Sequence, residues 1–212
     1  MLETPAVALE ATRRALRETA AETFKALRLT LGHHSNDGRD EQEGRLRPAL
    51  ESRQQFFATI PPGDADEPWS KLRVGQMHAI DHLARLQSRL TLPAGVRRVL
   101  ADPRLQPAIA LSQEILAQGE AGLHGEGDKD ACARVERLAH DLAELRRKER
   151  PVIMQQTAWG AAQPGHALEL LDAMRWLDRL SYHAWRICSY LGGEGTMHSL
   201  ALDADVISSS AH

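Results

Sequence analysis

The stretch 172–191, DAMRWLDRLSYHAWRICSYL, decides how this chain is read. It gathers two tryptophans, two tyrosines, a histidine, two aspartates and three arginines into about five helical turns. The whole chain is only 4 % aromatic, so such crowding admits a binding site, a metal site or plain packing. Rotation at about 100° per residue settles most of it. Leu170, Met174, Leu177, Ala184, Cys188 and Leu191 fall on one stripe, which predicts a core face. Trp176, His183 and Tyr190 form a second line about 100–140° round the helix, and Asp178, Tyr182 and Trp185 lie on the other flank. A helix with three lipophilic edges touches neighbours on several sides, and packing accounts for most of its aromatics. Asp178 is different: a carboxylate flanked by Tyr182 and Trp185 needs a partner if it is buried, and Arg175 is the nearest local one.

The bulk composition agrees with a helical reading. The 212 residues are 42 % hydrophobic and 26 % charged, an ordinary balance for a soluble globular protein. Ala, Leu, Arg, Glu and Gln dominate, while the β-branched residues of strands are scarce, so an all-α fold is expected. A net charge of −3 without a long basic block argues against nucleic acid as a partner. Cys132 and Cys188 suit a reducing compartment and provide neither a disulfide framework nor zinc-ligand spacing. No apolar run approaches the roughly 18–20 residues of a membrane span, and the first residues lack the pattern of a signal peptide. A cytoplasmic chain without a membrane span is the expectation.

Turn signals at 32–38, 60–68, 92–95, 119–130 and 160–165 divide the sequence into six amphipathic segments. The first opens on Thr4-Pro5, carries Leu9, Leu16, Ala20, Leu27 and Leu31, and closes at Gly32. The second, about 39–59, carries Leu46, Leu50 and Phe57, with Pro48 a kink or a late start. The third, about 67–91, presents Trp69, Leu72, Ala79, Ile80, Leu83 and Leu90. The fourth begins as a short piece after Gly95, restarts at Asp102-Pro103 and runs through Ile109, Ile115 and Leu116 to Gly119. The fifth, about 128–158, shows Val135, Leu138, Leu142, Leu145 and Val152, and Pro151 should bend it. The sixth is the opening stretch extended back to about Gly165, and the Gly/Ser-rich residues 193–212 are expected to be a mobile tail.

Chemistry-bearing patterns are few. His78, Asp81 and His82 form H-x-x-D-H on one helical face, as metal ligation would require, but a solvated polar face needs no explanation. Glu136 with His140 has the wrong spacing for a carboxylate di-metal bundle. There is no nucleophile elbow, glycine-rich phosphate loop or H-E-x-x-H, so no catalytic residue is predicted. The run RRKER, 146–150, could attract phosphate, acidic lipid or carboxylates, though such runs are usually solvated.

A faint internal repeat organises the rest. HLARLQSRL (82–90) resembles WLDRLSYHA (176–184) when Leu83, Arg85 and Leu86 are laid on Leu177, Arg179 and Leu180, an offset of 94 residues. Each half then holds three helices and ends in the repeated motif. Two such triplets resemble the PhoU family of bacterial phosphate-homeostasis regulators. The wording of LETPAVALEATRRAL, MHAIDHLARLQSRL and LDAMRWLDRLSYHAWRI is most similar to the PhoU-like region that follows the membrane part of bacterial Na/Pi-cotransporter-type proteins. The resemblance covers about residues 2–192 and implies a six-helix PhoU-like fold of two tandem antiparallel three-helix bundles, about 4–91 and 94–191. The family motif N-D-L-E-R-I-G-D carries a Glu and, four residues on, an Asp that bind metal in some members. Here those positions are Ala84 and Ser88 in the first copy and Asp178 and Tyr182 in the second. Only Asp178 keeps a carboxylate, so no cofactor is expected, and Asp178, His78, Asp81 and His82 are the residual metal candidates. The resemblance implies a non-enzymatic regulatory domain at the inner face of the membrane, docked on a phosphate transporter domain in cis or in trans, and open to homodimerisation. The opening Met before LETPAV hints at a piece of a larger transporter. A metal-dependent helical enzyme and a structural oligomerisation bundle are the competing readings.

Overall fold

The computed structural model describes residues 4–32, 39–62, 67–124 and 129–192, and every regular element among them is helical. The α-helices are α1 (Pro5–Gly32), α2 (Arg39–Thr59), α3 (Pro68–Gln87), α4 (Ala94–Val99), α5 (Gln106–Leu123), α6 (Lys129–Ala158) and α7 (Pro164–Leu191). A 3₁₀ turn, Pro103–Leu105, joins α4 to α5. The expected fourth segment is therefore two helices. Asp102 precedes a proline, adopts extended backbone at φ −63° and ψ 128°, and so breaks the helix. Its side chain then accepts from the Arg104 N–H at 2.9 Å, capping the new start. The tail expected at 193–212 lies outside the described residues.

Pro48 and Pro151 both sit inside continuous helices, so Pro48 is not a start. Each removes one N–H and frees the carbonyl four residues back, on Gly44 and Arg147 respectively. All four residues are exposed, where water can satisfy the freed carbonyls. Helix α6 closes in a Schellman arrangement: Ala161 N–H donates to the Gln156 carbonyl and Gly160 N–H to that of Thr157. Gly160 has φ 73°, the left-handed conformation that this ending demands.

The predicted stripes are largely the core. Leu9, Leu16, Ala20, Leu27 and Leu31 of α1 are buried, as are Leu46, Leu50 and Phe57 of α2. The expectation for Val152 fails: it is 45 % exposed, and Ile153 is buried instead. Ile153 stands eighteen residues, about five full turns, beyond buried Val135, whereas Val152 is about 100° off that line. Helix α7 is central, contacting α1, α3, α4, α5, α6 and the 3₁₀ turn.

Side-chain contacts fix the helix directions. Gln76 donates to the Leu9 carbonyl and Gln87 to Thr23 Oγ1, so α1 and α3 run parallel. Arg73 at the start of α3 reaches the Ile60 carbonyl while Gln87 near its end reaches that of Leu46, so α2 runs opposite to α3. Ser112 meets Ser181, and Gly119 abuts Cys188, which makes α5 and α7 parallel. Arg146 pairs with Asp178 and His140 packs on Trp185, so α6 opposes α7. Two antiparallel crossings tie these groups together. In one, α1 meets α5: Arg17 bonds the Leu123 carbonyl and Arg28 pairs with Glu120. There a Cβ on Gly119 would stand 2.6 Å from Phe24, so only glycine lets the two helices come this close. In the other, α3 meets α7 through His78 with Tyr190 and His82 with His183.

Candidate functional site

The polar residues singled out in the sequence collect at the α3–α7 crossing and on the adjoining flank of α6. His82 Nδ1 lies 2.9 Å from His183 Nδ1, so one ring donates and the other accepts. His183 is only 7 % exposed. Burial comes first in pushing its pKa down to about 3, and His82, Arg89, Arg85 and Arg179 push the same way. At neutral pH it is an uncharged ring in a basic neighbourhood.

An aromatic series continues from this pair. His82 meets the edge of Tyr182 at 5.8 Å, Tyr182 meets Trp185 at 5.8 Å, and Trp185 meets His140 of α6 at 5.2 Å. On the other side, His78 stacks on Tyr190 at 5.1 Å. Arg186, 2 % exposed, lies 4.9 Å from the Tyr190 ring centre and donates to its hydroxyl. Its charge is held by π faces and a phenol oxygen instead of water.

The H-x-x-D-H face does not converge. Asp81 is exposed and accepts from Arg85 Nε at 2.9 Å, which holds its carboxyl below the ordinary range. His78 turns to Tyr190 and His82 to His183, because α7 covers that side of α3. Among the described residues, no group of three or more His, Cys, Asp or Glu is placed to hold a metal ion. Ala84, at the first motif position, is exposed, and the hydroxyl of Ser88, at the second, donates to the Arg85 carbonyl.

Asp178 has a different partner from the one expected. Arg175 pairs with Asp172, while Arg146 of α6 places Nε 3.0 Å from Asp178 Oδ2. Sequence distance misled here, since α6 approaches α7 at a register that only the packed bundle reveals. Burial raises the Asp178 pKa in spite of Arg146, Arg179 and Arg147, so desolvation outweighs the attraction. Within RRKER, Arg146, Arg147 and Arg150 with Pro151 line a shallow surface concavity, and Arg147 also pairs with Glu144.

Two features escaped the sequence reading. One is the Cys132–Cys188 contact, in which hydrogen bonding to Cys132, followed by burial, raises the Cys188 thiol well above its usual pKa. The other is Arg89, whose buried Nε makes no hydrogen bond. The repeat overlay carried a signal for it: Arg89 aligns with His183 as Arg85 aligns with Arg179.

No protein-family model, curated protein or solved structure matches the chain. None of the described helices is long and apolar enough to cross a membrane.

Proposed function

We propose that this chain is a non-enzymatic regulatory and interaction module of the PhoU-like kind, acting on sodium-dependent phosphate transport. In this reading residues 4–91 and 94–191 are two three-helix bundles, each running up, down and up. The observation that carries it is the position of the two antiparallel crossings. Phe24 meets Gly119, 95 positions on, and His82 meets His183, 101 positions on. These spacings lie one and seven residues from the sequence-repeat offset of 94, which supports a two-fold arrangement of duplicated halves.

The module would work by docking on the cytoplasmic side of a transporter's membrane domain and binding one of its states more tightly than another. Co-purification tests the docking. The chain should be recovered with a sodium-dependent phosphate transporter of its own cell, or be encoded in frame after one. Recovery without any transporter, together with stoichiometric iron, manganese or zinc in the purified protein, would favour a metal-dependent enzyme instead.

A further inference from the structure

We propose that the α3–α7 crossing is a binding site for a phosphate group, held by Arg85, Arg89 and Arg179 beside the His82–His183 pair. This inference stands apart from the transporter reading and uses only the local chemistry. Arg85 and Arg89 are one turn apart on α3, and Arg179 and His183 are one turn apart on α7. The helices run antiparallel and are pinned by the 2.9 Å His82–His183 contact, which brings these positions of α3 and α7 to one junction. All three guanidiniums act electrostatically on His183, and Arg179 acts on Arg89.

The charges do not balance. Asp81 is the one carboxylate paired within this group, and it is taken by Arg85 at 2.9 Å. Asp178, next to Arg179 and within reach of its charge, is paired by Arg146 of α6 at 3.0 Å. Neither Arg89 nor Arg179 forms an ion pair with a carboxylate among the described residues. Arg89 and Arg179 are thus left with guanidinium donors that a phosphate group can take.

Arg89 adds a second argument. It is half-buried, its Nε makes no hydrogen bond, and both burial and the like charge of Arg179 lower its pKa. A half-buried guanidinium beside another is unfavourable unless something supplies acceptor oxygens. A tetrahedral oxyanion accepts from both guanidiniums at once and takes the unused donors in the geometry they are built for. Neutral His183 can add a hydrogen bond without adding charge. Arg85 and Arg179 are exposed, so an ion in water can reach the group.

Thermal melting of the full chain at constant ionic strength tests this, with sodium phosphate at pH 7.5 titrated against chloride. Ligand binding to the folded state makes the midpoint rise with concentration. A saturable rise with phosphate is expected, at least about threefold larger than with sulfate or chloride. Arg89→Gln and Arg179→Gln should each abolish most of it, Arg89→Lys should restore part, and exposed Arg14→Gln should leave it intact. Arg179 is exposed, so its variant folds and keeps the test valid if Arg89→Gln does not. Flotation with phosphatidylcholine vesicles containing phosphatidic acid distinguishes a lipid headgroup from the free ion. If only the vesicles bind, and Arg179→Gln releases them, the phosphate group belongs to lipid. The same small shift for phosphate, sulfate and chloride with no vesicle binding, or responses unchanged in the variants, would overturn the proposal.

Discussion

Replacing Gly119 by alanine probes the close α1–α5 crossing. In an unconstrained helix the change would stabilise by about 0.8–1 kcal/mol, since alanine is the better helix former. Here the new Cβ would meet Phe24 Cε2 at 2.6 Å, Phe24 Cδ2 at 2.8 Å and Cys188 Sγ at 3.2 Å. Phe24 and Cys188 are fully buried, so neither can swing into water to make room. Overpacking of this kind costs about 1–3 kcal/mol, and the net expectation is a loss of about 0–2 kcal/mol. Phe24→Leu alone should cost about 1 kcal/mol through a partial cavity. In the double variant the leucine vacates the space the methyl needs, so the two losses should couple favourably by about 1–2 kcal/mol. Urea denaturation of wild type, both singles and the double, at unchanged m-value, measures the cycle. A Gly119→Ala protein that gains the full helix propensity, with coupling near zero, would mean that Phe24 does not sit against Gly119.

Three further outcomes follow from the junction. The His183 pKa is depressed, so between pH 6.5 and about 3 the unfolded chain holds a proton that the folded chain refuses. Stability should therefore be flat above pH 6.5 and fall as pH drops through that window, by at most about 1.4 kcal/mol per unit, with solvent reaching the crossing making the true slope smaller. His183→Gln should flatten it in pH-dependent denaturant melts, and an unchanged slope would refute the assignment. At Asp178 the raised pKa makes the folded state hold the proton more tightly, a contribution present below 3.8 and lost as pH rises through the folded value. Asp178→Asn should thus change stability by less than about 1 kcal/mol at pH 7, while Arg146→Met, which strands the carboxylate, should cost about 1–3 kcal/mol. The reverse order in chemical denaturation would contradict the pairing. Cys188 should resist thiol reagents until the protein unfolds, because Cys132 and burial disfavour its thiolate; equal native labelling of both cysteines would contradict this.

Legibility in the sequence followed the range of the forces involved. The core stripe of α7 and the caps at Pro5 and Asp102-Pro103 depend on neighbours within a turn or two, and they could be read directly. Val152 was misplaced because a stripe extended by sevens drifts round a straight helix, and Ile153 had come into line. The short piece and the restart expected within the fourth segment are α4 and, after the 3₁₀ turn at Pro103, α5. At the site, side-chain type was legible but pairing was not. Asp178 was expected to turn to Arg175 on its own helix and instead meets Arg146 from α6. His82 and His183, about a hundred positions apart, touch only because α3 and α7 cross antiparallel.

In the proposed function the chain governs sodium-dependent phosphate transport without being an enzyme. It is tested most directly by initial rates of radiolabelled phosphate uptake, with and without sodium, in its own cells lacking the gene and in the same cells with it restored. Deletion should change only the sodium-dependent component, by at least about twofold, and restoration should return it. Rates identical in both strains, with the protein absent from any transporter-containing membrane fraction, would contradict it.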